Sequence, residues 1–228
     1  MALFIDRKDA GQKLAQKLAQ YANRPDVIVL ALPRGGVPVG YEVARALNAP
    51  LDVFIVRKLG VPGQEELAMG AIASGGVRIL NQDIVQALGI PASVIDQVAA
   101  REWQELRRRE KLYREGRPAP DLAGRTVILV DDGVATGATM RAAIKAVRQQ
   151  NPAKVIVAVP VSALETYYDL AREADEVVAL ATPEPFFGVG LWYEHFDQTS
   201  DDEVRRLLRL AAQAQADREQ AAPNGGPA

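Results

Sequence analysis

Two neighbouring carboxylates, followed by a loop of small and hydroxyl-bearing residues, form the stretch of this chain best suited to chemistry. Asp131 and Asp132 come directly after residues 126–130, a short aliphatic run that predicts a buried parallel strand. A loop of Gly, Val, Ala and Thr follows them, and residues 140–150 have the amphipathic pattern of a helix. Because open α/β sheets bind ligands just outside the carboxyl ends of their strands, we expect a binding site here.

The loop after the acid pair has the composition of a phosphate site. Its glycines lack a β-carbon, which permits a tight turn and a close approach of backbone to ligand. The free N–H groups of the loop and of the first helical turn, with the positive end of the helix dipole behind them, attract a phosphate monoester. Thr136 and Thr139 add hydroxyl donors. The predicted contacts are Gly133, Val134, Ala135, Thr136, Gly137, Ala138 and Thr139.

Carboxylates beside an anion site would repel a phosphate unless the ligand also carries sugar hydroxyls. Ionised carboxylates accept hydrogen bonds from O–H donors, so Asp131 and Asp132 suit the ribose of a ribose 5-phosphate. A Walker A loop is excluded, because no Lys follows Gly137. The residues by themselves favour a ribose 5-phosphate ligand, and an unrelated strand-to-helix turn is the alternative.

Residues 127–139, VILVDDGVATGAT, resemble the signature of the type I phosphoribosyltransferases, which bind 5-phosphoribosyl 1-pyrophosphate (PRPP). The resemblance implies that Asp131 and Asp132 hold the ribose 2′ and 3′ hydroxyls and that the Thr-Gly-Ala-Thr loop holds the 5′-phosphate. It also implies Mg²⁺ as cofactor, bridging pyrophosphate oxygens and ribose hydroxyls. We expect no direct protein ligand to this ion, only contacts of Asp131 and Asp132 through water.

A second anion site is predicted at Arg34, Gly35 and Gly36, between the first predicted strand and the helix after it. The glycines expose backbone donors at a helix N-terminus, and the guanidinium of Arg34 matches phosphate oxygens. A tight turn with a solvated Arg is the alternative. The turn resembles the pyrophosphate loop that follows the first strand in the same family.

Residues 57–66, RKLGVPGQEE, combine two glycines, a proline and two bases with poor periodicity, which predicts a mobile loop. The family has a flexible catalytic loop at this place, and the Arg-Lys with the later Pro-Gly is similar to its adenine-using branch. The resemblance implies that Arg57 and Lys58 are catalytic and close over the leaving pyrophosphate. A surface hairpin loop with exposed charges is the alternative.

Aromatic residues concentrate in residues 182–200, which we call the hood segment. They form either a satellite core or a stacking surface for a flat base, and Phe187 and Trp192 are the candidate base contacts. PFFGVGLWY resembles the hood of hypoxanthine-type phosphoribosyltransferases, with Trp192 where that branch has an Asp. His195, the single histidine, is expected to be a surface or capping residue rather than a general base.

The pattern of apolar runs predicts an α/β fold: a mainly parallel twisted sheet with helices on both faces, as the resemblance also implies. One domain is expected over residues 1–220, with a disordered tail at 221–228. The predicted helices cover 8–21, 37–47, 81–88, from 91 through 113, 140–150, 162–173 and 201–218. The predicted strands cover 27–32, 51–56, 126–130, 154–159 and 176–181, plus 68–73, which joins the same sheet and forms a hairpin with 77–80.

Residues 81–120 are longer than the family core requires, and we expect an inserted helical flap or dimer element there. Ser93 with Asp96 predicts a capping box for its long helix, as Ser162 with Glu165 and Ser200 with Glu203 do for two later ones. Basic residues crowd one face of the long helix: Arg101, Arg107, Arg108, Arg109, Lys111, Arg114 and Arg117. Glutamates interleave them, so a solvated face with ion pairs is favoured over a nucleic-acid surface.

Composition narrows the class of protein. The chain has 228 residues, 48% hydrophobic and 25% charged, with a formal net charge of −2, so no global attraction to nucleic acid or membrane is implied. Cysteine is absent, which excludes disulfides and thiolate metal sites. No apolar run has the length of a membrane span, and the N-terminus lacks a signal-peptide pattern. We expect a soluble cytoplasmic protein.

The function expected from these features is transfer of phosphoribosyl from PRPP to a nitrogenous base with release of pyrophosphate. A nucleobase, as in purine salvage, is the expected acceptor. The alternative is a non-catalytic PRPP-binding regulator, which needs only the ribose and phosphate sites. A sugar-phosphate hydrolase is disfavoured, since no water-activating group is recognisable. We expect PRPP and a small base as ligands and a homodimer as the assembly, with no role for membrane or nucleic acid.

Overall fold

Eight strands and seven helices make up the computed structural model of the chain, which describes residues 2–221. The strands are β1 (Val27–Ala31), β2 (Leu51–Val53), β3 (Val56–Val61), β4 (Gln64–Ala73), β5 (Val77–Leu80), β6 (Thr126–Val130), β7 (Lys154–Val161) and β8 (Glu176–Ala181). The helices are α1 (Arg7–Lys17), α2 (Gly36–Leu47), α3 (Gln82–Ala87), α4 (Ala92–Arg114), α5 (Ala138–Arg148), α6 (Leu164–Glu173) and α7 (Asp201–Ala221).

The main sheet has five parallel strands in the order β2-β1-β6-β7-β8. Every residue of β1 and β6 is buried, as expected of strands covered on both faces. Successive side chains point to opposite faces: Ile128 packs with α1 and α2, whereas Val127 and Leu129 pack with α5. The predicted fold class, a mainly parallel sheet between two helical layers, is confirmed.

A second sheet of three antiparallel strands, β3-β4-β5, corrects two predictions. Residues 68–73 belong to this sheet and not to the main one. Residues 57–66 are a β-hairpin with a turn at Pro62 and Gly63 and not an irregular loop, because Leu59 and Val61 are buried. The alternating burial along β3 depends on helix α4, which packs across it, and this partner lies far away in the sequence.

The long helix of residues 81–120 packs into a core that it shares with β3, β4 and α7. Ile95, Leu106 and Tyr113 of α4 lie in one cluster with Leu207 and with core residues of both sheets. This clustering buries the apolar side chains of α4 between the two sheets and α7. Whether this region acts as a flap or a dimer element stays a prediction.

The predicted ion pairs of the basic face of α4 form in part: glutamates pair with Arg101, Arg108, Arg109 and Arg114, whereas Arg107, Lys111 and Arg117 have no ion pair among residues 2–221. Glu105 accepts from both Arg108 and Arg109, at 2.8 and 2.7 Å. Arg114 is buried, not solvated, and pairs with Asp52 at 2.9 Å and with Glu110 at 3.0 Å. The prediction of a solvated side chain was wrong for Arg114, because its partner Asp52, on the edge strand β2 of the main sheet, is remote in sequence.

Two of three predicted caps were wrong. Pro91 and Ala163 precede α4 and α6 and make no side-chain cap, so the boxes at Ser93 and Ser162 do not form. Ser200 does cap α7, since its Oγ accepts from the N–H of Glu203 at 3.1 Å.

Helix α7 continues to Ala221, and the predicted disordered tail otherwise lies outside the described residues. Within residues 2–221, no helix combines the length and the apolar content that a membrane crossing needs.

Candidate functional site

Two predicted ligand loops meet at the carboxyl ends of the neighbouring strands β1 and β6. A β-carbon at Gly35 would lie 2.1 Å from Oδ2 of Asp132, and one at Gly36 would lie 2.8 Å from the carbonyl oxygen of Val130. Glycine is therefore required at these positions for close approach, because any side chain would displace the acid pair. The first loop and the acid pair form one site, as the strand order allows.

The loop after the acid pair is hydrogen-bonded to β7 and α6 on its inner side, and its outer side is open. The N–H of Val134 donates to the carbonyl of Val161 at 3.0 Å, and the hydroxyl of Thr166 donates to the carbonyl of Ala135 at 2.5 Å. Gly137 has a φ of 77°, and a β-carbon there would lie 2.7 Å from a methyl carbon of Thr166. A larger residue would therefore be strained and crowded at this position.

The outer side of this loop has the geometry of an anion site. Ala135, Thr136, Ala138 and Thr139 are exposed, and α5 begins at Ala138. Among residues 2–221, no backbone carbonyl accepts a hydrogen bond from the amides of Ala135, Thr136 or Gly137. Unpaired amides at the N-terminus of an eleven-residue helix attract a phosphate group.

The two aspartates have different surroundings although they are adjacent. Oδ1 of Asp131 accepts from the N–H of Asp132 at 2.8 Å. The protein packed around Asp131 raises the pKa of its carboxyl well above the usual range, and the negative charge of Asp132 raises it further. Oδ2 of Asp132 accepts from Nε of Arg7 at 2.9 Å, an ion pair with both side chains largely covered. The pair therefore combines a carboxyl that resists ionisation with one whose charge is balanced.

Part of the hood segment supports the acid pair. The hydroxyl of Tyr193 donates to the backbone carbonyl of Asp132 at 2.5 Å, and its ring packs between Phe4 and Phe196. Burial, and then the charge of Asp132, raise the pKa of Tyr193. Gly133 lies against Val189, so the loop and the hood segment are in direct contact.

The two predicted base contacts of the hood segment are placed differently. Phe187 is 83% exposed, with a φ of 57°. Trp192 is partly buried in the satellite core beside Phe4, and its Nε1–H donates to the carbonyl of Phe186 at 3.1 Å. The hood therefore provides both a small core and an exposed aromatic face, and His195 is an exposed residue of this segment.

Three further basic side chains, those of Arg34, Arg57 and Lys58, lie on two sides of the site. Arg34 is partly exposed and lies 3.7 Å from Asp201 of α7. Arg57 lies on β3 and donates to Glu102 of α4 at 2.8 and 2.6 Å, so it is held away from solvent. Lys58 is exposed. A cleft of about 380 Å³ is lined by Arg57, Lys58 and Thr139, which brings the two predicted catalytic bases to the edge of the phosphate loop.

Sequence reasoning missed Arg7 and Tyr193, two side chains from distant parts of the chain that contact Asp132. Arg7 is 125 positions away from Asp132, and its neighbours in sequence show only an ordinary helix start. Tyr193 was included in the aromatic cluster, but nothing local indicated that its hydroxyl reaches the acid pair. Both contacts arise from the fold and carry no local signal.

The model of the phosphoribosyl transferase domain family matches residues 63–193. The putative phosphoribosyl transferase Rv0571c of Mycobacterium tuberculosis is 53% identical over 211 residues, which are 92% of this chain and 47% of that protein. This chain thus spans about half the length of that relative. The bifunctional protein PyrR of Chloroflexus aurantiacus is 31% identical over 129 residues, covering 55% of this chain and 65% of the relative.

Among solved structures, TT1426 from Thermus thermophilus is 45% identical and superposes with a TM-score of 0.81, covering 91% of this chain and 98% of that one. The match extends beyond the signature to the whole arrangement of sheets and helices. This chain belongs to the phosphoribosyl transferase domain family.

Proposed function

We propose that this chain transfers the 5-phosphoribosyl group of PRPP to a nitrogenous base and releases pyrophosphate. The observation that carries the proposal is the meeting of the acid pair with an open, amide-lined loop at the carboxyl ends of β1 and β6. Sugar hydroxyls and a phosphate monoester are the chemical groups that this combination suits.

Each part of PRPP has a matching part of the site. The 5′-phosphate binds the amides of residues 135–139 and the hydroxyls of Thr136 and Thr139. Asp131 and Asp132 accept hydrogen bonds from the ribose hydroxyls. The pyrophosphate binds at Arg34, where Gly35 and Gly36 allow the chain to approach the acid pair closely.

The reaction needs positive charge near the leaving group. As the base nitrogen bonds to the anomeric carbon, the carbon–oxygen bond to pyrophosphate breaks and negative charge grows on the pyrophosphate. Arg34 and Lys58 provide cations for it, and Arg57 joins them once it leaves Glu102. Closure of the β3–β4 hairpin would exclude water from PRPP. The proton released by the base passes to Asp132 or a nearby acceptor.

A magnesium ion fits this site only as a companion of the ligand. Within residues 2–221 there is no cluster of three or more His, Asp or Glu side chains that could hold a metal. Asp131 and Asp132 would hold the ion through water, next to the proposed ribose and pyrophosphate sites. When bound, Mg²⁺ would neutralise charge on the pyrophosphate.

The acceptor is proposed to be a nucleobase that stacks near the hood. Phe187 is an exposed aromatic that offers a stacking face. Backbone groups near it would read a base edge, apart from the N–H of Gly188, which already donates to the carbonyl of Phe186 at 2.7 Å. Trp192 contributes through the satellite core, since its indole N–H is already used. The resemblance of the hood sequence to hypoxanthine-type enzymes makes purines the first bases to screen.

Calorimetry with PRPP and Mg²⁺, followed by a screen of bases for pyrophosphate release, tests the proposal. The double change Asp131→Asn and Asp132→Asn is expected to abolish PRPP binding and turnover. Asp217→Asn, an exposed aspartate near the end of α7, is the matched control and should leave both unchanged. Undiminished turnover in the double variant would refute the role of the acid pair.

PRPP binding without pyrophosphate release from any base would instead identify a non-catalytic regulator. Nucleic-acid binding by such a regulator should weaken steeply with salt. The paired arginines of α4 do not favour it, because Arg108 and Arg109 share the carboxylate of Glu105, which offsets one of their two charges. A homodimer and a cytoplasmic location stay predictions, and light scattering on the purified chain tests the first.

A further inference from the structure

The guanidinium of Arg7, the first residue of α1, contacts two separate parts of the site. Its Nε donates to Oδ2 of Asp132 at 2.9 Å, and its Nη1 donates to the backbone carbonyl of Asp197 at 2.5 Å. Its Cζ lies 4.0 Å from the centre of the Phe196 ring. Only 13% of the Arg7 side chain and 14% of the Asp132 side chain are exposed. One planar group thus joins the acid pair to the hood segment.

These contacts use the shape of arginine as well as its charge. The planar guanidinium directs donors toward two acceptors at fixed angles and stacks on an aromatic face, whereas a lysine ammonium is a compact point charge. The carboxylate of Asp132 has about four acceptor sites, so Arg7 leaves capacity for a sugar hydroxyl. Arg7 therefore need not leave when a ribose binds.

The backbone on both sides of Arg7 is tied to the hood segment. The N–H groups of Leu3 and Phe4 both donate to the carbonyl of Trp192, at 2.9 and 3.0 Å. The N–H of Glu194 donates to Phe4, and that of His195 donates to Ile5, each at 2.9 Å. A displacement of the hood segment would consequently move the start of α1 and the guanidinium with it.

We propose that Arg7 is a positioning residue that orients Asp132 toward the ribose and couples the hood segment to the sugar site. The proposal rests on the proposed function, since it assigns Asp132 to the ribose. Because Arg7 joins the two regions, the affinity for PRPP depends on the position of the hood, where the base is proposed to bind. Arg7 does not touch the reacting atoms, so its effect passes through Asp132.

Two substitutions separate the charge of Arg7 from its shape. Arg7→Lys keeps the positive charge and loses the planar fork, whereas Arg7→Gln loses the charge. Arg148→Gln is the matched control, because Arg148 also binds a carboxylate and a carbonyl, those of Asp175 and Glu173, at 2.8 and 3.1 Å. Arg148 ends α5, at the opposite end of that helix from the phosphate loop.

The first measurement is hydrogen exchange without ligand at the amides of Glu194 and His195. Exchange should accelerate in both Arg7 variants and stay unchanged in Arg148→Gln, since the single nitrogen of a lysine would have to take the place of two guanidinium nitrogens that bind Asp132 and Asp197 separately. Unchanged exchange in Arg7→Lys would overturn the link between Arg7 and the hood, whatever the ligand of the protein is.

The second measurement is PRPP affinity with Mg²⁺ as a function of pH. Arg7→Lys should weaken binding about tenfold, the size of one charge-assisted hydrogen bond, with the pH profile of the wild type. Arg7→Gln should weaken it more and move the profile to higher pH, because the positive charge of Arg7, which opposes the rise in the pKa of Asp131, is gone. Wild-type or tighter binding in Arg7→Lys would overturn the proposal, tighter binding meaning that Arg7 blocks the sugar site.

Failure of the proposed function gives a different result. In that case the wild type itself does not bind PRPP, and the exchange measurement still decides whether Arg7 holds the hood segment. If Arg7→Gln fails to fold, Arg7→Lys carries both measurements, because it retains the charge that balances Asp132.

Discussion

At the scale of single residues, the two carboxyls of the acid pair differ in their surroundings and in how their charges are balanced. Asp131 is crowded by protein and next to a second carboxylate, so its charged form is disfavoured. Asp132 is balanced by Arg7 and held through its backbone by Tyr193. Ionisation of Asp131 therefore destabilises the folded protein without ligand, and we expect hydroxyl donors of a bound sugar to offset this cost.

This charge predicts that Asp131→Asn raises the melting temperature at neutral pH. The pKa of Asp131 is higher in the folded protein than in the unfolded chain. The wild type therefore loses stability as the pH rises from the pKa of the unfolded chain through the pKa of the folded protein. Asn keeps the acceptor for the Asp132 N–H and cannot ionise. Thermal unfolding from acidic to neutral pH should show the gain at neutral pH, with none below the pKa of an unfolded Asp.

Asp175→Asn is the control, and its expected effect on stability has the opposite sign. Burial alone would raise the pKa of Asp175, but hydrogen bonds from Arg148 and from the N–H of Val155 lower it overall. This substitution should therefore destabilise the protein at neutral pH, with the loss disappearing in acid. A destabilisation of Asp131→Asn that is equal at every pH would contradict the assignment of strain to its charge.

At the scale of elements, α4 decides the state of the β3–β4 hairpin. Leu59 and Val61 are buried in the hairpin, and Glu102 of α4 holds Arg57 through two hydrogen bonds. The hairpin is thus ordered and docked while its second base, Lys58, stays exposed at the cleft. Movement of Arg57 toward a pyrophosphate requires this ion pair to break.

Glu102→Gln is expected to release Arg57. Hydrogen exchange of the β3 and β4 amides should become faster, and the free energy of unfolding should fall by about 1 kcal/mol at most, as for other partly exposed ion pairs. Calorimetry should show tighter binding of inorganic pyrophosphate, because Arg57 is no longer neutralised.

Glu105→Gln, on the same helix, is the matched control. Within the part of the chain that the structure describes, Glu105 pairs only inside α4, with Arg108 and Arg109, so hairpin exchange and pyrophosphate affinity should not change. Equal effects of the two substitutions would show that α4 acts through its general stability and not through Arg57.

At the scale of the whole molecule, one apolar cluster joins the two sheets. It contains Val53 of the main sheet, Leu59 and Met69 of the small sheet, Leu106 of α4 and Leu207 of α7. The small sheet consequently has no separate core, and we expect it to unfold together with the main sheet.

Leu106→Ala tests this cooperativity. Leu106 is 1% exposed, so its truncation should cost about 2–5 kcal/mol through lost burial and a residual cavity. The two tryptophans lie in different regions, Trp103 on α4 and Trp192 in the hood, and single-tryptophan variants should report one denaturant midpoint. Two separated midpoints would show that the sheets unfold independently.

The sequence was sufficient to predict the structure where local pattern and local chemistry agree. The run of residues 126–130 is β6, the acid pair follows it directly, and the small-residue loop leads into α5. An all-aliphatic strand, a glycine turn and an amphipathic helix are each stabilised by residues within a few positions, so their order could be read directly. The family followed from the same stretch.

Only the tertiary structure decided the features that depend on distant partners. The hairpin of residues 57–66 takes its order from α4, and the burial of Arg114 depends on Asp52. The bond from Arg7 to Asp132 joins residues 125 positions apart. Sequence determined which residues form the strand, the acid pair and the loop, because short-range sterics and hydrogen bonding act along the chain. The fold decided which charges surround them, because electrostatics and packing act through space.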